Sequence, residues 1–368
     1  MIDYFMLAFY IVIAIQTVYY ILFLTPLLAK KQPLHRTNIS ISVIICAKNE
    51  AANLKKFIPE ILNQSYSGVF EIIIVNDRST DNTAEVIDSL TSKHTIIKNI
   101  SVREGENIWG NKKFALSLGV KAAKYKHLLF TDADCFPNSD QWITQMASGF
   151  KHNVSIVLGY GGYKEEKKSF LNKIIRFETL FTAMQYFTYS ELGIPYMGVG
   201  RNLAYTKELF HNVDGFTQHK NIQSGDDDLF VNQVAEKSNT SINLTRTSFT
   251  TSLPKLNFND WILQKRRHIS TAQHYKMRHQ FLLALFYISQ LLFFGLLFGL
   301  FFYDTGISKI LTAASLRYIV FFVTLALFSK KLNEKRLFPL LPFLEISLIL
   351  IQLYLFLKNK LSPQINWN

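Results

Sequence analysis

Two aspartates that follow a short apolar stretch are the strongest candidates for metal chemistry in this sequence. Asp132 and Asp134 are separated by one alanine and come directly after residues 127–131, a strand-like run with three apolar residues at its centre. At the end of a strand, carboxylates with this spacing can point towards one divalent ion, and Mg²⁺ and Mn²⁺ prefer carboxylate and phosphate oxygens. Such a metal would neutralise a diphosphate and make it a better leaving group. The alternative is a surface turn, where aspartate is common.

A second acidic cluster, Asp226, Asp227 and Asp228, follows a Ser-Gly pair. Three adjacent carboxylates repel one another, which raises the pKa of at least one of them. A carboxylate of this kind can act as the general base that takes the proton from an acceptor hydroxyl. The alternative is an acidic cap at the start of a helix, and the two interpretations are compatible.

A lysine pair provides a candidate anion site. Lys112 and Lys113 begin a predicted helix, and free backbone N–H groups at a helix start assist anion binding. A solvated pair of lysines is the simpler alternative for these two residues.

A basic helical segment ahead of the second apolar run provides further candidates. It contains Gln264, Arg267 and His268. Arg267 is expected to bind a phosphate. Lys265 and Arg266, by contrast, are interpreted as positive charge that flanks a membrane segment.

Alternating strands and helices would place several of these residues at one edge of a sheet. The predicted strands are 41–46, 71–76, 95–102 and 127–131, and the helices are 49–63, 81–90 and 112–125. This alternation predicts βαβ units and a mostly parallel, doubly wound sheet, and such sheets bind ligands beyond the carboxyl ends of their strands. The polar residues that follow the strands are Lys48, Asn49, Glu50, Asp77, Arg78, Ser79, Asp132 and Asp134.

Four apolar runs with positive flanks indicate membrane segments. The chain has 368 residues, of which 49% are hydrophobic, and a formal charge of +13. The runs are 4–29, 281–303, 310–328 and 337–357, each compatible with the roughly 30 Å hydrocarbon layer. Their basic flanks are Lys30, Lys31, Arg36, Lys265, Arg266, Arg267, Lys276, Arg278, Lys330, Lys331, Lys335 and Arg336. This placement favours membrane topology over nucleic-acid binding, with the N-terminus outside and the following domain in the cytoplasm.

The last two runs contain ionisable residues, which are costly in hydrocarbon. Arg317 and Glu345 could pair across the two helices. Alternatively, Arg317 reaches the membrane surface while Glu345 faces a polar cleft, and this second arrangement is slightly preferred. A fourth crossing would also place Lys358 and Lys360 outside, against the charge rule, so the last run is the least constrained part of the topology.

Residues 168–192 predict an amphipathic helix, because apolar side chains recur at helical spacing after a basic start. Two placements remain open: at the membrane interface near an acceptor, or packed on the sheet. The two cysteines, Cys46 and Cys135, are expected to be buried free thiols, because the cytoplasm is reducing.

In their order along the chain, these motifs resemble a family 2 glycosyltransferase with the GT-A fold. The similar branch is membrane-integrated and includes cellulose and hyaluronan synthases and ceramide glucosyltransferases. The resemblance covers roughly residues 41–268. Its motifs are SVIICAKNE at 42–50, VNDRSTD at 75–81, DAD at 132–134, GDDDL at 225–229 and QKRRH at 264–268. Each motif is modest alone, whereas the ordered set is specific.

The resemblance implies a nucleotide-sugar donor and a role for each matching residue. Ala47 and Glu50 would border the nucleotide, and Asp77 would contact its base, usually uracil. Lys112 would lie near the diphosphate, and Asp132 would reach both the ribose and the metal.

The remaining roles concern the metal and the transfer itself. Asp134 would bind the metal, Mn²⁺ or Mg²⁺, and Arg267 would hold the diphosphate. Asp227 would be the base, with Asp226 in the place of the family's glutamate. The mechanism so implied is in-line attack by an acceptor hydroxyl at the anomeric carbon, with inversion.

Three departures from the family pattern affect this interpretation. Asp226 replaces the usual glutamate, so the base could be Asp226 or Asp228 by register. His268 replaces a tryptophan that, beside Gln264, would hold the acceptor sugar in polymer-making relatives, which weakens the case for a processive synthase. Asn111 is inserted between the glycine and the lysine of the family's G-K motif.

The sequence thus predicts an α/β protein, a GT-A Rossmann-like domain with flanking transmembrane helices. The expected parts are an anchor at 1–30, a cytoplasmic domain at 40–255, an interfacial basic segment at 256–280 and about three transmembrane helices at 281–358. The expected function is an inverting, metal-dependent transfer from a UDP-sugar to a lipid or membrane-associated acceptor at a bacterial inner membrane, without nucleic acid. The alternatives are a processive polysaccharide synthase, a membrane phosphohydrolase and an inactive scaffold.

Overall fold

The computed structural model of the protein describes residues 2–29, 38–103, 111–151, 153–302 and 307–362. The predicted basic flank Lys30, Lys31 and Arg36 lies outside the described residues. The helices are α1 (Ile2–Leu22), α2 (Thr25–Leu28), α3 (Ala51–Leu62), α4 (Thr83–Lys93), α5 (Asn111–Ala122), α6 (Trp142–Ala147), α7 (Phe170–Glu191), α8 (Lys207–Asn212), α9 (Asp228–Val234), α10 (Phe258–Thr271), α11 (Met277–Phe301), α12 (Ile307–Leu332) and α13 (Leu341–Leu361). The strands are β1 (Ile41–Ala47), β2 (Phe70–Asn76), β3 (Ile97–Ser101), β4 (His127–Asp132), β5 (Cys135–Pro137), β6 (Ile156–Leu158), β7 (Gly161–Tyr163), β8 (Leu203–Thr206), β9 (Thr240–Ile242) and β10 (Thr250–Ser252).

Parallel strands form the half of the main sheet that carries the predicted site. The strand order is β3-β2-β1-β4-β8-β6-β9, with a second sheet β5-β10-β7. β1 pairs in parallel with β2 and β4, and β2 with β3. β8 is antiparallel to β4 and β6, whereas β6 and β9 are parallel, so a single antiparallel strand interrupts the sheet. The expectation of a mostly parallel sheet is confirmed, and it is based on the first four strands alone. The other strands have three or four residues and give no periodic signal in the sequence.

The register of the parallel strands brings the predicted polar residues to one edge. Ala47 lies opposite Asn76, and Cys46 lies opposite Asp132. These residues are at the carboxyl ends of β1, β2 and β4. The side chains that follow each strand, including that of Asp77, therefore start from the same edge.

Apolar side chains cover both faces of this sheet. Val43 and Ile45 of β1 face the side covered by α3, α4 and α6, whereas Ile44 faces the side covered by α5 and α7. All three side chains are buried, which stabilises the fold by roughly 1.5–3 kcal/mol for each side chain. A nearly continuous apolar strand is what a sheet covered on both faces requires.

The amphipathic helix predicted at 168–192 is α7, and it is a core helix. Of the two placements left open, packing on the sheet is the one found. Phe177, Leu180 and Met184 are fully buried, and the helix contacts β7, β9, α12 and α13. Its start is capped by Ser169, whose hydroxyl accepts the backbone N–H of Asn172 at 3.1 Å. α7 thereby joins the α/β domain to the membrane helices.

Four apolar segments of the described chain have the length and composition of membrane spans: Asp3–Leu28, Met277–Phe301, Ile307–Leu332 and Phe338–Leu361. α1 packs against α11 and α12. Phe9 of α1 stacks on Phe293 of α11, with ring centroids 5.7 Å apart. These helices flank the α/β domain and indicate an integral membrane protein.

Arg317 and Glu345 pair in the structure, which corrects the preferred expectation that they lie apart. Arg317 Nη1 donates to Glu345 Oε2 at 2.9 Å, and its Nη2 contacts Glu345 Oε1. Arg317 Nε also donates to Gln16 Oε1 at 2.7 Å, and Nη2 donates to the hydroxyl of Tyr20 at 3.1 Å. The guanidinium is completely buried, so pairing costs less than leaving either charge alone in hydrocarbon.

Candidate active site

Asp132 and Asp134 lie beside Cys135, with one ligand atom from each residue within 4.8 Å of the others. Burial and the neighbouring Asp132 raise the pKa of Asp134. Burial and Asp134 also raise the pKa of the Cys135 thiol, which stays protonated and donates to Asp134 Oδ1 at 3.4 Å. Ser252 donates to Asp134 Oδ2 at 3.1 Å. The donor set therefore fits a divalent cation held by the two carboxylates.

Lys112 connects the two acidic motifs. Its Nζ lies 2.8 Å from Asp132 Oδ1 and 3.0 Å from Asp226 Oδ2. Burial works against the charge of Lys112, but the surrounding carboxylates outweigh it and hold the pKa of Lys112 well above its usual value. The same ammonium lowers the pKa of Asp132 against the opposing effect of burial. A fixed positive charge thus lies between the metal motif and the candidate base.

Asp227 is held by backbone groups at the centre of the site. Its Oδ2 accepts the N–H of Gly200 at 2.7 Å, and its Oδ1 accepts the N–H of Asp228 at 2.7 Å. Burial, followed by repulsion from Asp226 and Asp228, raises the pKa of Asp227 to about 7. A carboxylate with this pKa is suited to accept a proton near neutral pH.

Asp228 is engaged elsewhere. Its Oδ2 accepts hydrogen bonds from the hydroxyls of Thr271 and Tyr275, the latter at 2.6 Å, and its Oδ1 accepts the N–H of Leu229 at 2.7 Å. This carboxylate ties α9 to the end of α10. Of the three aspartates, Asp227 is therefore the one with geometry suited to a base, and Asp228 is a structural link.

Glu50 and Asp77 line the same cavity, on the side of β1 and β2. The backbone N–H of Asp77 donates to the carbonyl of Ala47 at 2.8 Å. Arg78 donates from Nε and Nη2 to Asp77 Oδ1 at 3.0 and 2.8 Å, which fixes the orientation of that carboxylate. Burial raises the pKa of Glu50, whose Oε2 accepts a hydrogen bond from Asn53 at 2.6 Å.

α10 closes the opposite side of the cavity with Gln264, Arg267 and His268. Burial lowers the pKa of Arg267, with Asp226 acting in the opposite direction. His268 opens onto the cavity. Desolvation by the surrounding protein, followed by nearby cations, lowers its pKa.

Lys265 and Arg266 make specific contacts, so their interpretation as flanking charge alone does not hold. Lys265 Nζ pairs with Glu178 Oε2 of α7 at 2.5 Å, and both side chains are mostly buried. Arg266 Nε donates to Asn359 Oδ1 of α13 at 2.9 Å. α10 is therefore fixed to both α7 and α13.

One residue of the cavity wall escaped the sequence analysis, and for a second residue the solvated alternative is wrong. Arg201 lines the cavity, and its Nη1 donates to the hydroxyl of Tyr163 at 2.8 Å. The glycine-rich segment around Arg201, GVGRN at 198–202, was the available signal. Lys113 is buried, not solvated, and its Nζ donates to the carbonyls of His219 and Ile222 at 2.8 and 2.9 Å.

A cavity of about 540 Å³ unites these groups and continues to the membrane helices. Every predicted site residue except Ala47 lines it. Its wall also includes apolar side chains, namely Ala183, Met197, Leu283, Leu348, Ile351 and Leu355, with Gln185 and Gln352 among the other lining residues. The polar site thus opens directly onto side chains from α7, α11 and α13.

The fold as a whole is that of a GT-A glycosyltransferase with attached membrane helices. The mannosyltransferase PcManGT from Pyrobaculum calidifontis, solved in complex with GDP-Man and Mn²⁺, superposes with a TM-score of 0.64 over 99% of this chain and 100% of that chain. Sequence identity is 16%, so this similarity establishes the fold.

The family follows from the sequence of the same domain. Residues 42–213 match the model of glycosyl transferase family 2, and the chain therefore carries a family 2 glycosyltransferase domain. It is 31% identical over 142 residues to poly-beta-1,6-N-acetyl-D-glucosamine synthase of Staphylococcus epidermidis, covering 38% of this chain and 32% of that protein. It is also 35% identical over 104 residues to 4,4'-diaponeurosporenoate glycosyltransferase of Staphylococcus haemolyticus, covering 28% and 26%. The match thus spans about a third of these relatives or less.

Proposed function

We propose that the protein transfers one sugar from a nucleotide-sugar, a UDP-sugar in our assignment, to a hydroxyl group of a membrane lipid. The observation that carries this proposal is the cavity that runs from Asp227 to the apolar side chains Leu348 and Leu355 of α13. An apolar wall that is continuous with the membrane helices suits a lipid acceptor, because it would cover the apolar part of the lipid.

The donor end of the cavity combines acidic and basic groups suited to a nucleoside diphosphate. Asp132 and Asp134 would hold Mn²⁺ or Mg²⁺, which neutralises the departing diphosphate. Lys112 and Arg267 line the cavity and would bind the phosphate oxygens. Asp77, fixed by Arg78 through Oδ1, would accept a base N–H at Oδ2.

The acceptor hydroxyl would lose its proton to Asp227. Its oxygen would then form a bond to the anomeric carbon as the bond from that carbon to the diphosphate breaks on the opposite face, which inverts the configuration. The N–H of Gly200 orients the Asp227 carboxylate, so little rearrangement is needed at the moment of transfer. His268 and Gln264, which line the cavity, would contact the acceptor between the base and the apolar wall.

A processive polysaccharide synthase remains the second candidate, because one relative is named as the synthase of a polymer. Two observations favour single transfer. The core between α1, α11 and α12 is filled by Phe9, Phe293 and Ile310. In addition, His268 occupies the position of the tryptophan that would hold the acceptor sugar in polymer-making relatives. The phosphohydrolase alternative is dropped, because residues 42–213 match a glycosyltransferase family.

We propose the bacterial inner membrane as the location, with the domain in the cytoplasm, where nucleotide-sugars are made. The basic residues at the domain ends of α11 and α12, such as Arg278 and Lys331, agree with this orientation.

The test uses membranes that contain the full chain and radiolabelled UDP-glucose, UDP-N-acetylglucosamine or GDP-mannose. After incubation with Mn²⁺, label is measured in the organic-solvent extract and in the ethanol-precipitable polymer. We expect label in the organic extract, one sugar for each lipid, and none above background with Asp227→Asn. Label confined to polymer would replace the proposal with the synthase alternative.

A further inference from the structure

The segment that runs from Glu334 through the last apolar helix, α13, is tied to the α/β domain at both of its ends. Seven residues before α13 begins, Glu334 accepts hydrogen bonds from the Tyr160 hydroxyl at 2.8 Å and from Arg176 Nε at 2.7 Å. Near its other end, Asn359 exchanges two hydrogen bonds with Arg266 of α10, each 2.9 Å long. Tyr160, Arg176 and Arg266 belong to the domain side of the molecule.

Between these two ends the chain enters the helical bundle and returns. Phe338, just before α13, packs on Phe322 of α12 with ring centroids 5.5 Å apart. Glu345 then reaches Arg317 of α12, and the carbonyl of Ile349 accepts the hydroxyl of a tyrosine on α11 at 3.0 Å. The contacts therefore begin deep in the bundle.

Helix geometry fixes how far α13 descends. Arg317 lies fifteen residues before the end of α12, which corresponds to about 22 Å along that helix. Glu345 lies fourteen residues before Asn359, which corresponds to about 21 Å along α13. The two lengths match, so α13 covers the distance from the depth of Arg317 back to the domain and has no length left to reach the opposite surface.

We propose that α13 does not cross the membrane. The segment from Glu334 to Leu361 is re-entrant: it enters and leaves on the side of the catalytic domain, and the outward face of α13 contacts the lipids of that leaflet. The chain then crosses the membrane with α1, α11 and α12, and Asn359 lies on the catalytic side.

The backbone that leads into α13 suits a re-entrant segment. Non-helical backbone is tolerated at membrane depth only where protein covers it. Leu337 and Leu341 are completely buried, and Glu334 is 6% exposed. The turn is further closed by the N–H of Leu340, which donates to the carbonyl of Leu337 at 3.0 Å.

The outward face of α13 matches lipid as its partner. Its exposed side chains are Phe343, Ile346, Leu350, Tyr354, Phe356, Leu357 and Leu361. The helix ends with two lysines, and Lys358 Nζ contacts the Tyr354 hydroxyl at 2.8 Å. An apolar face that ends in an aromatic and two cations is the pattern of a helix that ends among anionic headgroups.

This path also changes how the acceptor would reach the cavity. Leu348, Ile351 and Leu355 of α13 line the cavity, while Leu350 and Phe356 of the same helix are exposed on its outward face. One helix then separates the cavity from the leaflet on the catalytic side, so the acceptor would come from that leaflet. This last step rests on the proposed function, whereas the path of α13 does not.

The path is tested by labelling single introduced cysteines with a membrane-impermeant maleimide, in sealed vesicles of both orientations. Lys360→Cys reports the end of α13. Lys93→Cys reports the catalytic domain, and Lys309→Cys reports the first turn of α12; all three lysines are exposed. The unsubstituted protein gives the background from Cys46 and Cys135, and gel filtration in detergent establishes that each variant is folded.

We expect Lys360→Cys to be labelled in the same vesicles as Lys93→Cys and protected where Lys309→Cys reacts. Labelling together with Lys309→Cys would overturn the proposal, because α13 would then cross. The labelling does not involve sugar transfer, so its outcome is independent of the proposed function.

Contact with lipid is tested separately in proteoliposomes. A bimane label on Leu350→Cys is compared with one on Lys93→Cys, with and without brominated phosphatidylcholine. We expect the bromolipid to quench the label at position 350 by severalfold more than the label at position 93. Equal quenching at the two positions would contradict the assignment of lipid as the partner of this face.

Discussion

The backbone N–H of Gly200 lies 2.7 Å from Asp227 Oδ2. The contact aligns the carboxylate, and a side chain at position 200 would bring its Cβ to 3.4 Å from the same oxygen. The carboxylate is thereby oriented by a rigid group while burial keeps its proton affinity high. Both effects suit Asp227 to accept a proton from a substrate hydroxyl.

Asp227→Asn should lower the rate of sugar transfer by about 10²–10⁴-fold, because it removes the general base. Nucleotide affinity, measured by calorimetry, should stay close to that of the unsubstituted protein. Asp226→Asn is the matched control and should cause a much smaller loss, since Asp226 contacts Lys112. If Asp226→Asn alone stops transfer, the base is misassigned by one residue.

The rate of transfer should depend on pH through Asp227. Burial raises the pKa of this carboxylate to about 7, and only the deprotonated form can accept the proton. The rate constant kcat should therefore fall about tenfold for each pH unit below 7 and level off above it. The profile is measured with saturating donor. A rate that is constant from pH 5 to pH 8 would contradict this role.

Divalent metal should strengthen nucleotide binding through Asp134. Calorimetric titration of the detergent-solubilised protein with UDP and with GDP, each with and without Mn²⁺, measures that gain. Asp134→Ala should remove the metal-dependent gain, while Asp77→Ala should weaken binding about 10- to 100-fold, the effect of one charged hydrogen bond. A folded protein that binds neither nucleotide would contradict the proposed donor site.

Lys113→Met should lower transfer more than nucleotide affinity. Lys113 is buried and donates to the carbonyls of His219 and Ile222, which lie just before Asp226. Losing these bonds should destabilise the fold by about 1–3 kcal/mol and loosen the segment that carries the base. Exposed Lys121 on the same helix provides the control, Lys121→Met. Equal effects of the two substitutions on kcat would exclude a positioning role.

Glu345→Leu alone should destabilise the membrane bundle by about 3–5 kcal/mol, because it leaves the charge of Arg317 buried without its partner. The double variant Arg317→Met, Glu345→Leu should recover most of this loss. Thermal unfolding in detergent measures both, and Thr312→Val on the exposed face of α12 is the control. A double variant less stable than Glu345→Leu would show that Arg317 has other essential contacts.

Much of the site could be predicted because it depends on local rules. Parallel strands have their carboxyl ends at a common edge, so Glu50, Asp77 and Asp132 could be grouped from their positions after the strands. The apolar membrane runs could be recognised from their length. The contacts of Lys113 and Arg201 could not be predicted in this way, because they join segments far apart in the chain.

The sequence by itself determined the class of fold, the family of the domain, the groups at the donor edge and the presence of long apolar helices. These properties follow from periodicity and from the order of the motifs. Only the tertiary structure decided that Asp228 is held by Thr271 and Tyr275, which leaves Asp227 as the carboxylate suited to a base beside Gly200. Adjacent aspartates are chemically identical in a sequence, and only the packing of α9 against α10 gives them different surroundings.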